Sequence, residues 1–110
     1  EKSVGEQKAA TMWFMQKAMA NPNHLGAGAH HYMHIMGITC LMLMWVKMAR
    51  VAKAAVAEGT GDTAFYEAKI ATARYFADRF VPDAGALRRK IETGSDSMMA
   101  LGEEAFSTAA

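Results

Sequence analysis

Residues 29–58 read AHHYMHIMGITCLMLMWVKMARVAKAAVAE, a stretch without proline and with one internal glycine, Gly37. It is rich in Met, Leu and Ala, which are strong helix formers. As one helix it would run about 45 Å, at about 1.5 Å of rise per residue. Its middle, residues 38–46, is apolar on every side apart from Thr39. A helix that is apolar all round is buried by its neighbours or by a partner, so the rest of the chain has to serve as its packing. Its first turn holds three of the four histidines, His30, His31 and His34, and concentrates there whatever chemistry the chain has.

The remainder is too short for a second domain: 110 residues make one domain with a modest core. Hydrophobic residues amount to 52% with only 9% aromatic and two prolines, a composition that favours an all-α class. A net charge of +1 with interspersed signs excludes a nucleic-acid footprint, and Arg88-Arg89-Lys90 reads as a solvated helix face. The single cysteine, Cys40, forms no internal disulfide and suits a reducing compartment. Residues 1–8 are polar rather than a secretory leader, and the apolar run falls short of the roughly 20 residues a bilayer needs, with His34 and Lys47 at its ends. The expectation is a cytoplasmic protein without a membrane partner. Because it starts without methionine and in helical composition, a fragment or domain excised from a larger chain is also expected.

In order, Ser3 with Glu6 forms a capping-box pattern for a first helix over about 4–20. Val4, Lys8, Met12, Met15 and Met19 form one stripe of it, with Ala10, Phe14 and Ala18 beside them and Trp13 at the shoulder. Asn21-Pro22-Asn23 ends that helix, and Gly26, Ala27 and Gly28 supply a permissive connection before the long helix starts near Ala29. Lys47, Arg50 and Lys53 give the long helix a polar edge, but Met36 and Leu43 continue that face as apolar. Something must cover them: the first helix or another molecule. Gly59 suits a left-handed C-terminal cap, and Thr60 or Asp62 an N-cap. Tyr66, Ile70, Ala73, Ala77, Phe80, Ala84, Leu87 and Ile91 then recur at steps of four and three across Pro82, predicting one kinked helix or two in line. Gly94 stops it, Ser95 caps a short turn over 96–101, and the tail after Gly102 adds a little helix or frays. The prediction is an antiparallel three- to four-helix bundle with one long central helix and a proline-kinked third helix.

Residues 69–106, KIATARYFADRFVPDAGALRRKIETGSDSMMALGEEAF, resemble the C-terminal bundle that follows the catalytic region in one branch of the long acyl-CoA dehydrogenases. Ala73-Arg74-Tyr75-Phe76-Ala77 answers to an ARxYA element, and Val81-Pro82 through Ala86-Leu87 to an LP-x-x-x-AL helix. Gly94 and then Met99-Ala100-Leu101 with Phe106 complete the pattern. MANP at 19–22, GAGA at 26–29, YMHIMG at 32–37 and MWVKMA at 44–49 fit as well. The resemblance implies that flavin, acyl-CoA site and carboxylate base belong to upstream domains, and none of those functional residues has a matching position here. It implies an accessory packing module facing parent-enzyme domains. Two departures stand out: His30-His31 replaces a small or acidic pair, and Cys40-Leu41-Met42-Leu43 replaces a small-Leu-Gly-aromatic element. Together they suggest a remodelled interior, natural or engineered.

Those departures define the candidate sites. His30 and His34, four apart, and His31 and His34, three apart, can chelate a transition metal such as zinc, copper or nickel. Further ligands would have to be Cys40, His24 or an acidic residue of another helix, and Cys40 lies on another side of the helical wheel. For haem, two histidines of one turn cannot both serve as axial ligands, so one would pair with Met15 or Met19 or leave the sixth position open. Gly37 would admit a flat ring. A desolvated histidine can also act as base or nucleophile, oriented by Tyr32, Thr39, Tyr75 or Asp78. Cys40, in mid-helix among Leu and Met, is expected to be inert, and Arg74 with Asp78 to form a surface ion pair. Two functions follow: an interaction module that buries Met36 and Leu43 against parent-enzyme domains or a second copy, as a homodimer, or a bundle that binds haem, a metal or a small molecule through His30, His31 and His34, with catalytic activity.

Overall fold

Four α-helices follow one another in the computed structural model, which describes residues 1–107: α1 (Lys2–Lys17), α2 (Pro22–Glu58), α3 (Thr63–Arg79) and α4 (Asp83–Glu92), then a 3-10 turn, Glu103–Phe106. The all-α expectation holds. Thr108, Ala109 and Ala110 of the tail lie outside the described residues.

The long helix starts at Pro22, not near Ala29. Asn21 is extended at φ −150° and its side-chain oxygen accepts from the Asn23 N–H at 3.1 Å. Proline at the first helical position needs no donor and has its φ already set. The same Asn-Pro pair that stops α1 therefore starts α2, and Gly26, Ala27 and Gly28 are helical rather than a connection. With 37 residues α2 reaches about 55 Å. Its end is as expected: Gly59 at φ 70° donates to the Ala55 and Val56 carbonyls. Asp62, not Thr60, caps α3, accepting from the Phe65 N–H at 3.3 Å.

Three other local expectations are corrected. The capping box at Ser3 does not form: Glu1 sits at the N-cap without a side-chain bond, Ser3 is buried with its hydroxyl 2.6 Å from that of Thr39, and Glu6 pairs with Arg88 of α4. Arg88 is thus a bridge between helices rather than part of a solvated basic run. The turn at Phe80 and Val81, whose N–H groups share the Phe76 carbonyl, separates α3 from α4, so the kinked helix is two helices. Asp83 in the first turn of α4 and Arg89 and Lys90 in its last complement the helix dipole. Along the predicted seam Ala73, Ala84 and Ile91 are buried while Phe80 is exposed.

α2 packs against all three other helices, and α1 also touches α4. The core is small: Ala10, Phe14, Ile35, Ala84 and Ile91, with Trp13, Tyr32 and Leu87 around them. Gly28 lets the Phe14 ring close on α2, since a Cβ there would lie 2.7 Å from Phe14 Cζ. The methionine stripe of α1 points the other way, with Met15 65% and Met19 87% exposed. The molecule measures 68 × 36 × 15 Å, with a radius of gyration of 20.2 Å. A compact chain of this length would have about 13 Å. Its accessible surface, 7861 Å², exceeds by about 1,900 Å² the roughly 5,900 Å² of a compact monomer of its mass. By length and composition α2 is also apolar enough to cross a bilayer, a test that core helices of soluble proteins pass as well.

Candidate functional site

Two features compete for function, the histidine turn of α2 and the open apolar faces. In the first, successive turns bring His30 and His34 together, with ring centroids 4.3 Å apart, and His31 stands edge-on to His30 at 5.5 Å. His34 Nδ1 lies 2.9 Å from the His30 carbonyl oxygen. A carbonyl only accepts, so Nδ1 carries a proton. His31 is half-buried, and that burial, with Lys90 and the two neighbouring histidines, holds its imidazole below the ordinary value. His30 and His34 are exposed.

The residues proposed to complete a site lie elsewhere. Among the described residues no three His, Cys, Asp or Glu side chains are placed to share a metal ion. Cys40 is exposed rather than buried among Leu and Met. Tyr32 and Thr39 are engaged with α1: the Tyr32 hydroxyl is 2.7 Å from that of Thr11, and the Thr39 hydroxyl bonds Ser3. Tyr75 stacks edge-on with Phe80, and the ion pairs among the described residues join Arg88 to Glu6 and Glu92, not Arg74 to Asp78. Met15 and Met19 line a shallow groove of about 570 Å³ with Phe14, Ala18, Pro22 and Leu25, a lining without histidine.

His24 has a role that sequence reasoning missed. Its Nδ1 accepts from the Ser95 N–H at 3.0 Å, so the proton of the neutral ring sits on Nε2, and the ring lies 5.5 Å from that of Trp13. Ser95 is buried, and Gly94, at φ 77°, leaves no Cβ to crowd His24. This clasp ties the start of α2 to the end of α4. Ser95 thus anchors His24 with its side chain and still opens the expected short turn, its carbonyl accepting from the Met99 N–H at 2.9 Å. A histidine just past a proline gives no sign of a partner 71 positions away.

The apolar faces are extensive. Met36 and Leu43 are 39% and 53% exposed, so α1, which reaches Met36 through Gln7 Nε2 at 3.8 Å, covers the face they mark only in part. Leu43 lines a groove of about 190 Å³ with Val4, Cys40, Met42 and Val46. A second groove, of about 370 Å³, opens between α2 and α3 among Met48, Val51, Phe65 and Tyr66, with Lys47 and Lys69 at its rim. Among the described residues, of the buried hydrophobic side chains only Phe14, Ile35 and Ile91 are larger than alanine. The chain has more apolar surface outside than its own helices can enclose.

A family model described as acetyl-CoA dehydrogenase C-terminal like matches residues 1–102. Among curated proteins, the broad-specificity linear acyl-CoA dehydrogenase FadE5 of Mycobacterium tuberculosis is 35% identical over 108 residues. That comparison covers 93% of this chain but only 17% of the relative's length.

Proposed function

Since the chain belongs to the acetyl-CoA dehydrogenase C-terminal-like family, we propose that it works as an accessory helical module of a larger acyl-CoA dehydrogenase, without chemistry of its own. Its task is to present apolar helix faces that neighbouring protein covers. The observation that carries this reading is the surplus of about 1,900 Å² of surface over a compact monomer, with Met15, Met19, Leu43, Val51 and Phe65 among the exposed large hydrophobic side chains. A bilayer is a poor cover for α2, because α1, α3 and α4 pack along it and carry charged side chains that a bilayer would have to bury.

The test uses the face around Leu43. Leu43→Asp is expected to weaken assembly at least tenfold, because burying a leucine is worth roughly 1.5–3 kcal/mol and a carboxylate would have to be desolvated. His30→Ala and His31→Ala should leave melting temperature and assembly unchanged. Light scattering coupled to size-exclusion chromatography reads assembly, and thermal unfolding followed by circular dichroism reads the melting temperature. Assembly that ignores Leu43→Asp but depends on His30 or His31 would overturn the reading.

A further inference from the structure

His30 and His34 stand one turn apart on α2, and both are exposed. Their ring centroids are 4.3 Å apart, with the planes inclined at 48°. A metal ion held by one nitrogen of each ring, at about 2.0–2.1 Å, lies about 3.2 Å from either centroid. Two rings bound at a right angle then have centroids about 4.5 Å apart, against about 5.2 Å at the tetrahedral angle and about 6.4 Å when they are opposite. The observed spacing is that of the right angle. Helix pitch alone therefore holds the two imidazoles at the separation that neighbouring positions of a square or octahedral ion require.

The orientation of His34 agrees with this. Its Nδ1–H donates to the His30 carbonyl oxygen at 2.9 Å, which leaves Nε2 for a metal. Metal-binding imidazoles are tied in the same way, the second nitrogen donating to a carbonyl or carboxylate that fixes the ring. His30 is the ninth residue of α2, clear of the first turn in which the helix dipole repels a cation. From Pro22 to Val46 the helix carries no Lys or Arg. The adjoining turn at Gly37 is open, with no heavy atom within 4 Å of where a Cβ would stand, so water reaches the remaining positions of the ion. His31 does not join the pair: it is half-buried, and Lys90 of α4 is close enough for its charge to be felt there.

We propose that His30 and His34 form a two-point site for a divalent transition-metal ion of the copper(II) or nickel(II) type, with the other positions of the ion open. These ions favour tetragonal nitrogen sites, whereas zinc favours a tetrahedral set that the ring spacing does not match. The site needs no third protein ligand, which the described residues do not supply. Its chelate exists only while α2 is helical, because in the unfolded chain two histidines four apart have no fixed separation. Binding therefore stabilises the folded chain. The site goes beyond the accessory-module reading and does not depend on it, since it uses neither Leu43 nor the grooves beside α1 and α3.

Isothermal titration calorimetry of the whole chain with nickel(II), which leaves the exposed Cys40 thiol unoxidised, tests it. The expected result is one ion per chain. His30→Ala and His34→Ala should each weaken binding about tenfold or more, because a ligand and the chelate are lost together, while His31→Ala changes it less than about twofold. Nickel(II) should also raise the melting temperature of the wild type, and the rise should vanish in the same two variants. Alanine is the better helix former, so lost folding cannot explain either effect; circular dichroism without metal checks that helicity is kept. Copper(II) on the Cys40→Ser chain should give an axial electron paramagnetic resonance spectrum with the coupling of two imidazole nitrogens, reduced to one by His30→Ala or His34→Ala. Binding that survives both alanine substitutions, or that depends on His31 instead, would mean an adventitious ion only and overturn the proposal. Zinc(II) held more tightly than nickel(II) would overturn it as well, because the site would then be tetrahedral.

Discussion

Phe14→Ala should leave the isolated chain largely unfolded at room temperature. Phe14 is 8% exposed, meets Tyr32 and Trp13 edge-on and presses its ring tip against the backbone at Gly28. It is the joint at which α1, α2 and α4 meet. Truncating a buried phenylalanine costs about 3–5 kcal/mol, part of it for the cavity left behind. Ordinary domains have only about 5–15 kcal/mol in total, and a chain with three large buried hydrophobic side chains, Phe14, Ile35 and Ile91, belongs at the low end. Urea titration followed by circular dichroism would show it as a midpoint at or near zero denaturant. A midpoint close to the wild-type value would mean that the core lies elsewhere.

Two glycines of α2 should respond in opposite senses. At Gly28 a Cβ would stand 2.7 Å from Phe14 Cζ and 3.3 Å from Ile91 Cγ2. The ring cannot swing aside, because Tyr32 and Trp13 hold it. Gly28→Val therefore forces the helices apart, at about 1–3 kcal/mol for overpacking. At Gly37 a Cβ meets nothing, so Gly37→Ala gains up to about 1 kcal/mol of helix propensity. Measured under dilute, monomeric conditions, the melting temperature should fall by several degrees in the first variant and rise by about 4 °C in the second. Equal shifts of the same sign would contradict the close approach of Phe14 to α2.

The existence of α2 is legible in composition alone, but its start is not. A proline after asparagine is both a stop and a first helical residue, and only the absence of a linker in space decides between them. The methionine stripe misleads for a different reason. Periodicity reports that a face is apolar, not whether the chain's own helices or another molecule cover it. α1 has two such faces, and only the one with Ala10 and Phe14 is buried internally. Met36 and Leu43 could be singled out because they interrupt a polar edge, a contrast visible in sequence. The three histidines were equally visible, yet two of them point to solvent. The histidine that organises the fold, His24, was hidden because its partner depends on how α4 ends. Likewise Ser3 and Glu6 fit a local cap by spacing, and long-range partners, Thr39 and Arg88, take them instead.

The central claim is that these apolar faces are covered in the working assembly. Methionine oxidation by dilute peroxide, followed residue by residue with mass spectrometry, tests it directly. Met12, Met15, Met19, Met33 and Met44 are all exposed in the isolated fold, so in the highly diluted chain they should oxidise at the rate of free methionine. In the larger acyl-CoA dehydrogenase proposed above to carry this segment, the same residues should react many times more slowly. Equal rates in the chain and in the intact enzyme would contradict the account, because the faces would then stand open with no neighbour to cover them.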